Sequence, residues 1–247
     1  MIAKKPLIVL CSGYRCGSTF IQRLLNASPE ICLLGEDNAS LTMMGKMIGH
    51  YEANRENEVE QAAKMKAGED CWQANVGRDG QLFHWERMKY EQMMTHFNYG
   101  RIGKDGDIVK LWGWKHLFAD GSTLCGAINS FTTVPHIVYL HRNLKDSISS
   151  YVRTSWGSMP PIEYIQGWSR SMTLLTDKVK EDGHINTYID YKDLTKDTGA
   201  ILGLYEQLEI DPPDNLVEVW GNRLVDSGRN KLRELNDPTI KTLENWT

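Results

Sequence analysis

The chain has 247 residues, of which 41% are hydrophobic and 24% are charged. This composition supports a full-sized hydrophobic core and gives no sign of intrinsic disorder. The formal net charge of −4 does not favour a general binder of nucleic acid or of anionic membranes. Any site for an anion must therefore be local.

The five cysteines show neither the pattern of a disulfide framework nor that of a metal site. Their number is odd, and the sequence contains neither a CxxC pair nor a Cys/His metal spacing, which argues against a disulfide framework and against a zinc site. The apolar run Leu7–Cys11 is too short to span a membrane, and no convincing signal-peptide cleavage region follows it. We therefore expect a cytoplasmic protein with no metal, no membrane insertion and no nucleic-acid partner.

The first predicted elements are a strand, a loop and a helix. Leu7–Cys11 is continuously apolar, as is typical of a central parallel strand, and a loop that contains glycine follows it. The apolar residues between Phe20 and Leu25 then fall on one face of a predicted helix that ends near Asn26. This order places helical N–H groups at the carboxyl end of the strand, where α/β proteins bind phosphate.

Further strands are predicted at residues 31–34, 107–116, 136–140 and 185–191, with a helix at 198–208. Residues of about 40–100 are rich in methionine and poor in β-branched side chains, which predicts a helical insertion. Strands that alternate with helices indicate an α/β fold with a parallel sheet covered on both faces. We predict one domain over residues 1–247, built as a P-loop-like three-layer sandwich around a central parallel sheet.

The loop after the first strand, Ser12–Thr19, reads SGYRCGST. A Walker A loop requires GxxxxGK[ST], in which a lysine follows the second glycine and a hydroxyl binds Mg²⁺. Here Ser18 follows Gly17, and the positive charge stands at Arg15. Because a guanidinium can bind phosphate or sulfate through two parallel hydrogen bonds, the loop suits an anion but is poorly built for Mg²⁺-ATP.

A second motif, residues 141–151, follows the predicted strand 136–140. If a helix begins near Asn143, Ser150 lies about two turns into that helix and Arg142 lies directly before its first turn. The two side chains can then reach one additional phosphate from different sides. An arginine and a serine near a helix start are also common as surface and capping residues, so this alternative stays open.

Together these residues resemble the sulfotransferases that use 3′-phosphoadenosine 5′-phosphosulfate (PAPS). The family's 5′-phosphosulfate loop reads basic-Ser-Gly-Thr/Ser-Thr, and Arg15–Thr19 matches it with Cys16 in the place of the serine. The family's 3′-phosphate motif reads Arg-Asn-x-x-Asp-x-x-x-Ser, and Tyr191–Leu194 is similar to its Tyr-Glu-Asp-Leu segment, whose tyrosine lies near the adenine. The four positions of the 3′-phosphate motif are occupied by Arg142, Asn143, Asp146 and Ser150.

The resemblance implies PAPS as donor, 3′-phosphoadenosine 5′-phosphate (PAP) as product, and no metal. Arginine in the place of Arg15 is usual in the tyrosylprotein and bacterial carbohydrate branches, which are therefore closest in motif. The glycine-rich C-terminal segment of cytosolic members has no clear counterpart, and Asp226–Asn230 is either its substitute or a surface loop. The residues expected to hold the cofactor are Arg15, Cys16, Gly17, Ser18, Thr19, Arg142, Ser150 and Tyr191.

Glu36 is the expected general base, because it lies at the exit of the second strand, which we expect to be adjacent to the loop of the first. Tyrosylprotein-type and some bacterial carbohydrate sulfotransferases carry Gly-Glu at this place, as this chain does. His116 is the alternative base, since Lys115-His116-Leu117 looks like a shortened Lys-x-His segment of cytosolic members; a structural, hydrogen-bonded histidine is the other interpretation. Arg15 is expected to stabilise charge that develops on the transferred group, and Lys115 either to neutralise that charge or to bind an acidic acceptor.

The resemblance implies in-line transfer of the sulfuryl group to a hydroxyl or amine of a small-molecule, carbohydrate or peptide acceptor. Acceptor contacts are expected in the methionine-rich insertion. Two alternatives stay open at this point. One is a P-loop-type nucleotide or small-molecule kinase, against which the missing Walker lysine counts, and the other is a non-catalytic protein that binds PAP.

Overall fold

The computed structural model describes residues 5–36, 41–46, 109–131, 133–153 and 159–222. Residues 41–46, at the start of the predicted helical insertion, form a helix. The rest of that insertion, residues 47–100, lies outside the described residues, as does the segment Asp226–Asn230.

Within the described residues, five parallel strands form one sheet in the spatial order β2-β3-β1-β4-β5. The five predicted strands are confirmed, with bounds that differ by a few residues at their ends. From β1 the chain forms β2 and β3 on one side and then crosses to the other side for β4 and β5. Ligands of open α/β sheets bind outside the carboxyl ends of the strands at such a reversal. The strands are β1 (Lys5–Cys11), β2 (Ile31–Glu36), β3 (Leu111–Leu117), β4 (His136–His141) and β5 (Thr187–Asp190).

Helices cover both faces of this sheet. One layer contains α1, α7, α8 and α9, and the opposite layer contains α2 and α3. The three-layer sandwich expected from the sequence is confirmed. The helices are α1 (Ser18–Leu25), α2 (residues 41–46), α3 (Gly121–Asn129), α4 (Leu144–Val152), α5 (Pro161–Met172), α6 (Asp177–Glu181), α7 (Tyr191–Lys196), α8 (Gly199–Gln207) and α9 (Leu216–Gly221).

The central strand β1 is buried on both faces. Leu7, Val9 and Cys11 pack in the core on the α1 side, while Ile8 and Leu10 pack in the core on the α3 side. Because successive side chains of a strand point to opposite faces, a strand covered on both sides must be apolar at every position. The continuous apolar run in the sequence therefore has a direct structural cause.

Helix α1 ends where the sequence predicts. Asn26 is its C-cap residue, and the Asn26 side chain pairs with the backbone N–H and C=O of Leu33 on β2 at 2.7 and 2.8 Å. The buried Tyr205 hydroxyl donates to the carbonyl oxygens of Leu24 and Leu25 at 2.8 and 3.2 Å. These bonds satisfy acceptors that a helix C-terminus otherwise leaves unpaired. Helix α1 follows the loop at residues 12–17, which the sequence predicts to bind an anion and which we call the anion loop. The helix is thus attached to both β2 and α8.

Two glycines allow α2 and α3 to cross closely. A Cβ atom on Gly45 would lie 1.7 Å from the carbonyl oxygen of Ser122, and a Cβ atom on Gly126 would lie 1.9 Å from that of Leu41. Both obstacles are backbone atoms, which cannot rotate away as a side chain can. The two helices can approach each other this closely only because both positions are glycine.

We predict that Gly126→Ala lowers the free energy of unfolding by about 1–3 kcal/mol, because the added methyl group forces the two helices apart. Gly203→Ala is the matched control, since Gly203 also lies inside a helix but has open space around its Cα. The control is expected to gain about 0.5–1 kcal/mol from helix propensity. Urea unfolding of both variants measures the difference, and two changes of the same sign would contradict this account of the crossing.

Candidate active site

The loop between β1 and α1 turns through two residues in the left-handed region. Arg15 has a φ of 60° and Gly17 a φ of 97°. The carbonyl oxygen of Gly17 accepts the N–H groups of Phe20 and Ile21 and so begins the helix. Within the described part of the chain, no side chain caps this helix start. Its first N–H groups are consequently suited to an anion, as at other helix N-termini after a glycine loop.

The Cys16 side chain is fully buried in the core beneath the loop. A hydrogen bond from the Cys11 thiol and the backbone N–H groups of Gly13 and Ser18 lower the pKa of the Cys16 thiol, while its burial acts in the opposite direction. Cys16 therefore serves the packing of the loop through its side chain. Only its backbone N–H can contribute to an anion site, and this explains how cysteine can replace the serine of the related loops.

Two positions of the second motif build the start of α4. Asn143 is the N-cap residue, and its Oδ1 accepts the backbone N–H of Asp146 at 2.8 Å. Its Nδ2 donates to the Asp146 carboxylate at 2.6 Å. This closed pair sets the direction of the helix. Arg142 is thereby held just before the helix and Ser150 two turns along it.

The other two positions of the motif meet the first loop. Arg15 Nε donates to Ser150 Oγ at 3.0 Å, and Arg142 Nη1 donates to the carbonyl oxygen of Arg15 at 2.9 Å. The backbone N–H of Arg142 donates to Ser12 Oγ at 3.3 Å. The carboxyl ends of β1 and β4 therefore bring Arg15, Arg142 and Ser150 into one group, which we call the arginine cluster.

One donor of the arginine cluster has no partner. The Arg142 Nε atom is buried and makes no hydrogen bond within the described residues. Leaving a buried donor unpaired costs about 1–3 kcal/mol, and more for a charged group. A phosphate oxygen would satisfy this donor, so the residues present fit an anionic group at this place.

Tyr191 lies between Arg142 and the loop. The Arg142 Cζ atom lies 4.3 Å from the centroid of the Tyr191 ring, in a cation–π contact. A Cβ atom on Gly17 would lie 2.4 Å from that ring, so the ring occupies the space that any other side chain would need. Trp168 completes the arrangement, since its Nε1 donates to the carbonyl oxygen of Arg142 at 2.9 Å.

Glu36 and Lys115 meet at the carboxyl ends of β2 and β3. Lys115 Nζ lies 3.6 Å from Glu36 Oε1 and donates to Thr19 Oγ1 at 3.4 Å. The Lys115 side chain is 7% exposed and that of Glu36 is 49% exposed. We call these three residues the lysine cluster. It combines a buried cation, a hydroxyl at the start of α1 and a carboxylate that solvent can reach.

A bulge at Gly35 decides which way Glu36 faces. Leu34 pairs with Trp114 and Glu36 pairs with Lys115, so Gly35 is an extra residue in β2. Side chains alternate along a strand, and a slip of one residue moves every following side chain to the other face. Without the bulge, Glu36 would face the α3 side of the sheet. With the bulge, it shares the α1 side with Lys115.

The sheet order corrects one expectation about Glu36. We expected the strand that ends in Glu36 to lie next to β1, but β3 lies between them. Glu36 therefore approaches the anion loop through Lys115 and Thr19, which lie in the lysine cluster.

His116, the alternative base, lies on the opposite face of β3 from Lys115. Its Nε2 is 3.1 Å from Thr42 Oγ1, which is 2.7 Å from Thr123 Oγ1. The Thr123 hydroxyl belongs to the capping box of Asp120 at the start of α3. The structure therefore places His116, which is 5% exposed, among polar groups of α2 and α3 and does not bring it together with the lysine cluster.

Most of the predicted site residues thus lie along the loop after β1, in the arginine cluster or in the lysine cluster, while His116 lies apart on the opposite face of β3. The side chain of Arg15 contacts Ser150 in the arginine cluster, while Lys115 is the cation beside Glu36. The sequence analysis missed Ser12, Trp168 and the bulge at Gly35. The Ser-Gly pair of the loop was a usable signal for Ser12. Trp168 lies in a helix 26 residues after Arg142, and nothing in the sequence indicates that the two residues are in contact.

Among the described residues, no group of three or more His, Cys, Asp and Glu side chains is arranged to hold a metal ion. The same part of the chain contains no helix with the length and apolar character needed to cross a membrane.

The described residues form an α/β protein with two polar clusters at the carboxyl ends of its parallel strands. A profile described as the Sulfotransferase family matches residues 6–214, and the chain belongs to this family. No curated protein matches the chain significantly. A solved structure that it resembles is the sulfotransferase domain of the Synechococcus PCC 7002 olefin synthase. The identity is 16% and the TM-score 0.48, with 100% of this chain and 96% of the other covered.

We predict that Gly17→Ala destabilises the protein more than Gly183→Ala does. Both glycines have a positive φ, which costs about 1–2 kcal/mol for a residue with a Cβ atom. Only Gly17 also contacts the Tyr191 ring, because Gly183 has open space around it. An additional loss of about 1–3 kcal/mol is expected at Gly17, measured by urea unfolding. Equal losses would show that Tyr191 does not pack against the loop.

Proposed function

We propose that this member of the sulfotransferase family transfers the sulfuryl group of PAPS to a hydroxyl or amine, and that PAP is the second product. The acceptor is a small molecule, a carbohydrate or a peptide. The observation that carries the proposal is the arginine cluster with its unpaired Arg142 Nε donor, at the reversal point of a parallel sheet. Family membership supports the reaction class.

In this proposal the arginine cluster holds the 3′-phosphate that distinguishes PAPS from ATP. Two guanidinium groups and the Ser150 hydroxyl supply charge-assisted hydrogen bonds, which are about twice as strong as neutral ones. Tyr191 presents its ring next to Arg142 and would lie near the adenine. Both arginines are positioned by contacts from the protein, Arg142 through Ser12 and Trp168, so little ordering is required when the nucleotide binds.

The N–H groups at the start of α1, with Ser18 and Thr19, would bind the 5′-phosphosulfate. Lys115, buried behind Thr19, adds a positive charge in a region from which water is largely excluded. Charge that develops on the transferred oxygens and on the departing phosphate is stabilised most by such fixed donors. The Arg15 backbone, in its left-handed conformation, directs the loop around this position.

Glu36 would act as the general base. The acceptor oxygen or nitrogen forms a bond to sulfur while the bond from sulfur to the phosphate oxygen breaks, and the proton of the acceptor passes to the Glu36 carboxylate. The carboxylate is half-exposed, so an acceptor can reach it, and Lys115 holds it at the end of β2. Because His116 lies on the opposite face of β3 from Lys115, its location favours Glu36 over His116 for this role.

The donor site is tested by calorimetric titration of the protein with PAP, AMP and Mg²⁺-ATP. We expect PAP to bind with micromolar or tighter affinity and AMP much more weakly. Arg142→Ala should weaken PAP binding by roughly 10- to 100-fold, as expected for one or two hydrogen bonds to a charged group, with little effect on AMP. Lys178→Ala, which removes an exposed charge from α6, is the control and should leave both affinities unchanged.

If Arg142→Ala weakens the binding of PAP and of AMP equally, Arg142 does not bind the 3′-phosphate. A preference of the unmodified protein for Mg²⁺-ATP would favour the kinase alternative. Tight PAP binding without transfer to any member of a panel of phenols, sugars and amines would indicate a non-catalytic PAP-binding protein.

Replacement of Glu36 by glutamine should retain PAP affinity but lower turnover by roughly 10²- to 10⁴-fold, because the amide cannot accept the proton. Sulfated product is measured with the best acceptor of the same panel. His116→Gln is the comparison, and we expect it to keep most of the turnover. The opposite pattern in the two variants would assign the base to His116.

A further inference from the structure

The carboxyl ends of β4 and β5 carry two consecutive cross-strand pairs. His141 and Asp190 are direct partners in the register of the sheet, and His141 Nδ1 lies 3.7 Å from Asp190 Oδ2. The residues that directly follow the two strands, Arg142 and Tyr191, form a cation–π contact. His141 and Asp190 therefore immediately precede two residues that the proposed function assigns to the nucleotide.

Asp190 also determines where α7 begins. It is the N-cap residue of that helix, and its Oδ1 accepts the backbone N–H of Lys192 at 2.8 Å. One carboxylate oxygen thus holds the start of α7 while the other faces His141 on β4. The position of the first residue of the helix, Tyr191, is tied through Asp190 to the neighbouring strand.

Movement of the α7 start would affect both neighbours of Tyr191. The ring packs against Gly17 of the anion loop on one side and under the Arg142 guanidinium on the other. A guanidinium that loses this support also loses the orientation in which it can bind phosphate through two parallel bonds. The contact between His141 and Asp190 is therefore linked to the loop through Tyr191.

We propose that His141 and Asp190 are positioning residues for nucleotide binding: their contact across the two strands holds the ends of β4 and β5 together and keeps Arg142 in contact with Tyr191. This inference rests on the proposed function. The two side chains are 22% and 40% exposed, so the pair contributes little to overall stability and its effect is expected in ligand affinity.

Asp190→Asn tests the proposal, because asparagine has the same shape and caps helices as well as aspartate does, but carries no charge. PAP affinity of the full chain and of each variant is measured by calorimetry in the same buffer. We expect Asp190→Asn and His141→Gln each to weaken PAP binding by roughly three- to tenfold, with unchanged urea midpoints. The double variant should be no weaker than the weaker single variant, because the pair acts as one unit.

Two further variants separate positioning from a general charge effect. His141→Lys places a permanent cation opposite Asp190 and should bind PAP within about twofold of the unmodified protein. Glu30→Gln removes a partly exposed ion pair elsewhere, between Lys110 and Glu30 at 2.6 Å, which lies at the opposite, amino ends of β2 and β3. This control should leave PAP affinity unchanged.

The measurements distinguish a failure of the positioning role from a failure of the proposed function. If the unmodified protein binds PAP and both Asp190→Asn and His141→Gln bind it equally well, the positioning role is wrong while the proposed function stands. An equal loss in Glu30→Gln would also overturn the positioning role. If the unmodified protein does not bind PAP, the proposed function fails and the role of the pair in nucleotide binding fails with it.

Discussion

The contact between the end of β4 and the loop after β1 is the interaction on which the site depends. The loop has no lysine of its own, so its second positive charge comes from Arg142, which directly follows the neighbouring strand β4 and donates to the Arg15 carbonyl. Two like charges in one cluster repel each other, and one buried donor of Arg142 has no partner among the described residues. Bound phosphate would offset both unfavourable effects, which is why the same geometry that costs stability suits an anion.

The sheet separates the two polar clusters, and the proposed function assigns nucleotide binding to one and catalysis to the other. The arginine cluster gathers at the carboxyl ends of β1 and β4, whereas the lysine cluster gathers at those of β2 and β3. The anion loop and α1 connect the two, since Arg15 reaches one cluster and Thr19 the other. In the proposed function, this arrangement holds one end of the nucleotide in the arginine cluster while the other end remains accessible to an acceptor beside Glu36.

A single-residue bulge and the alternation of side chains along β3 determine which side chains share the lysine cluster. Gly35 adds one residue to β2, and this turns Glu36 toward Lys115. Lys115 and His116 are neighbours in sequence, yet they face opposite layers because side chains alternate along β3. The family resemblance alone offered two bases, and the alternation places only Glu36 on the α1 side of the sheet with Lys115.

The amino-acid sequence by itself determined the elements that depend on local pattern. The apolar run of β1, the end of α1 at Asn26 and the cap at Asn143 follow from burial on both faces and from short-range hydrogen bonds. The motif spacing also indicated that Arg142 and Ser150 belong together. Only the tertiary structure decided that β3 separates β2 from β1, that a bulge turns Glu36, and that Trp168 supports Arg142. These features arise from pairing and packing between segments far apart in the chain, which local periodicity does not encode.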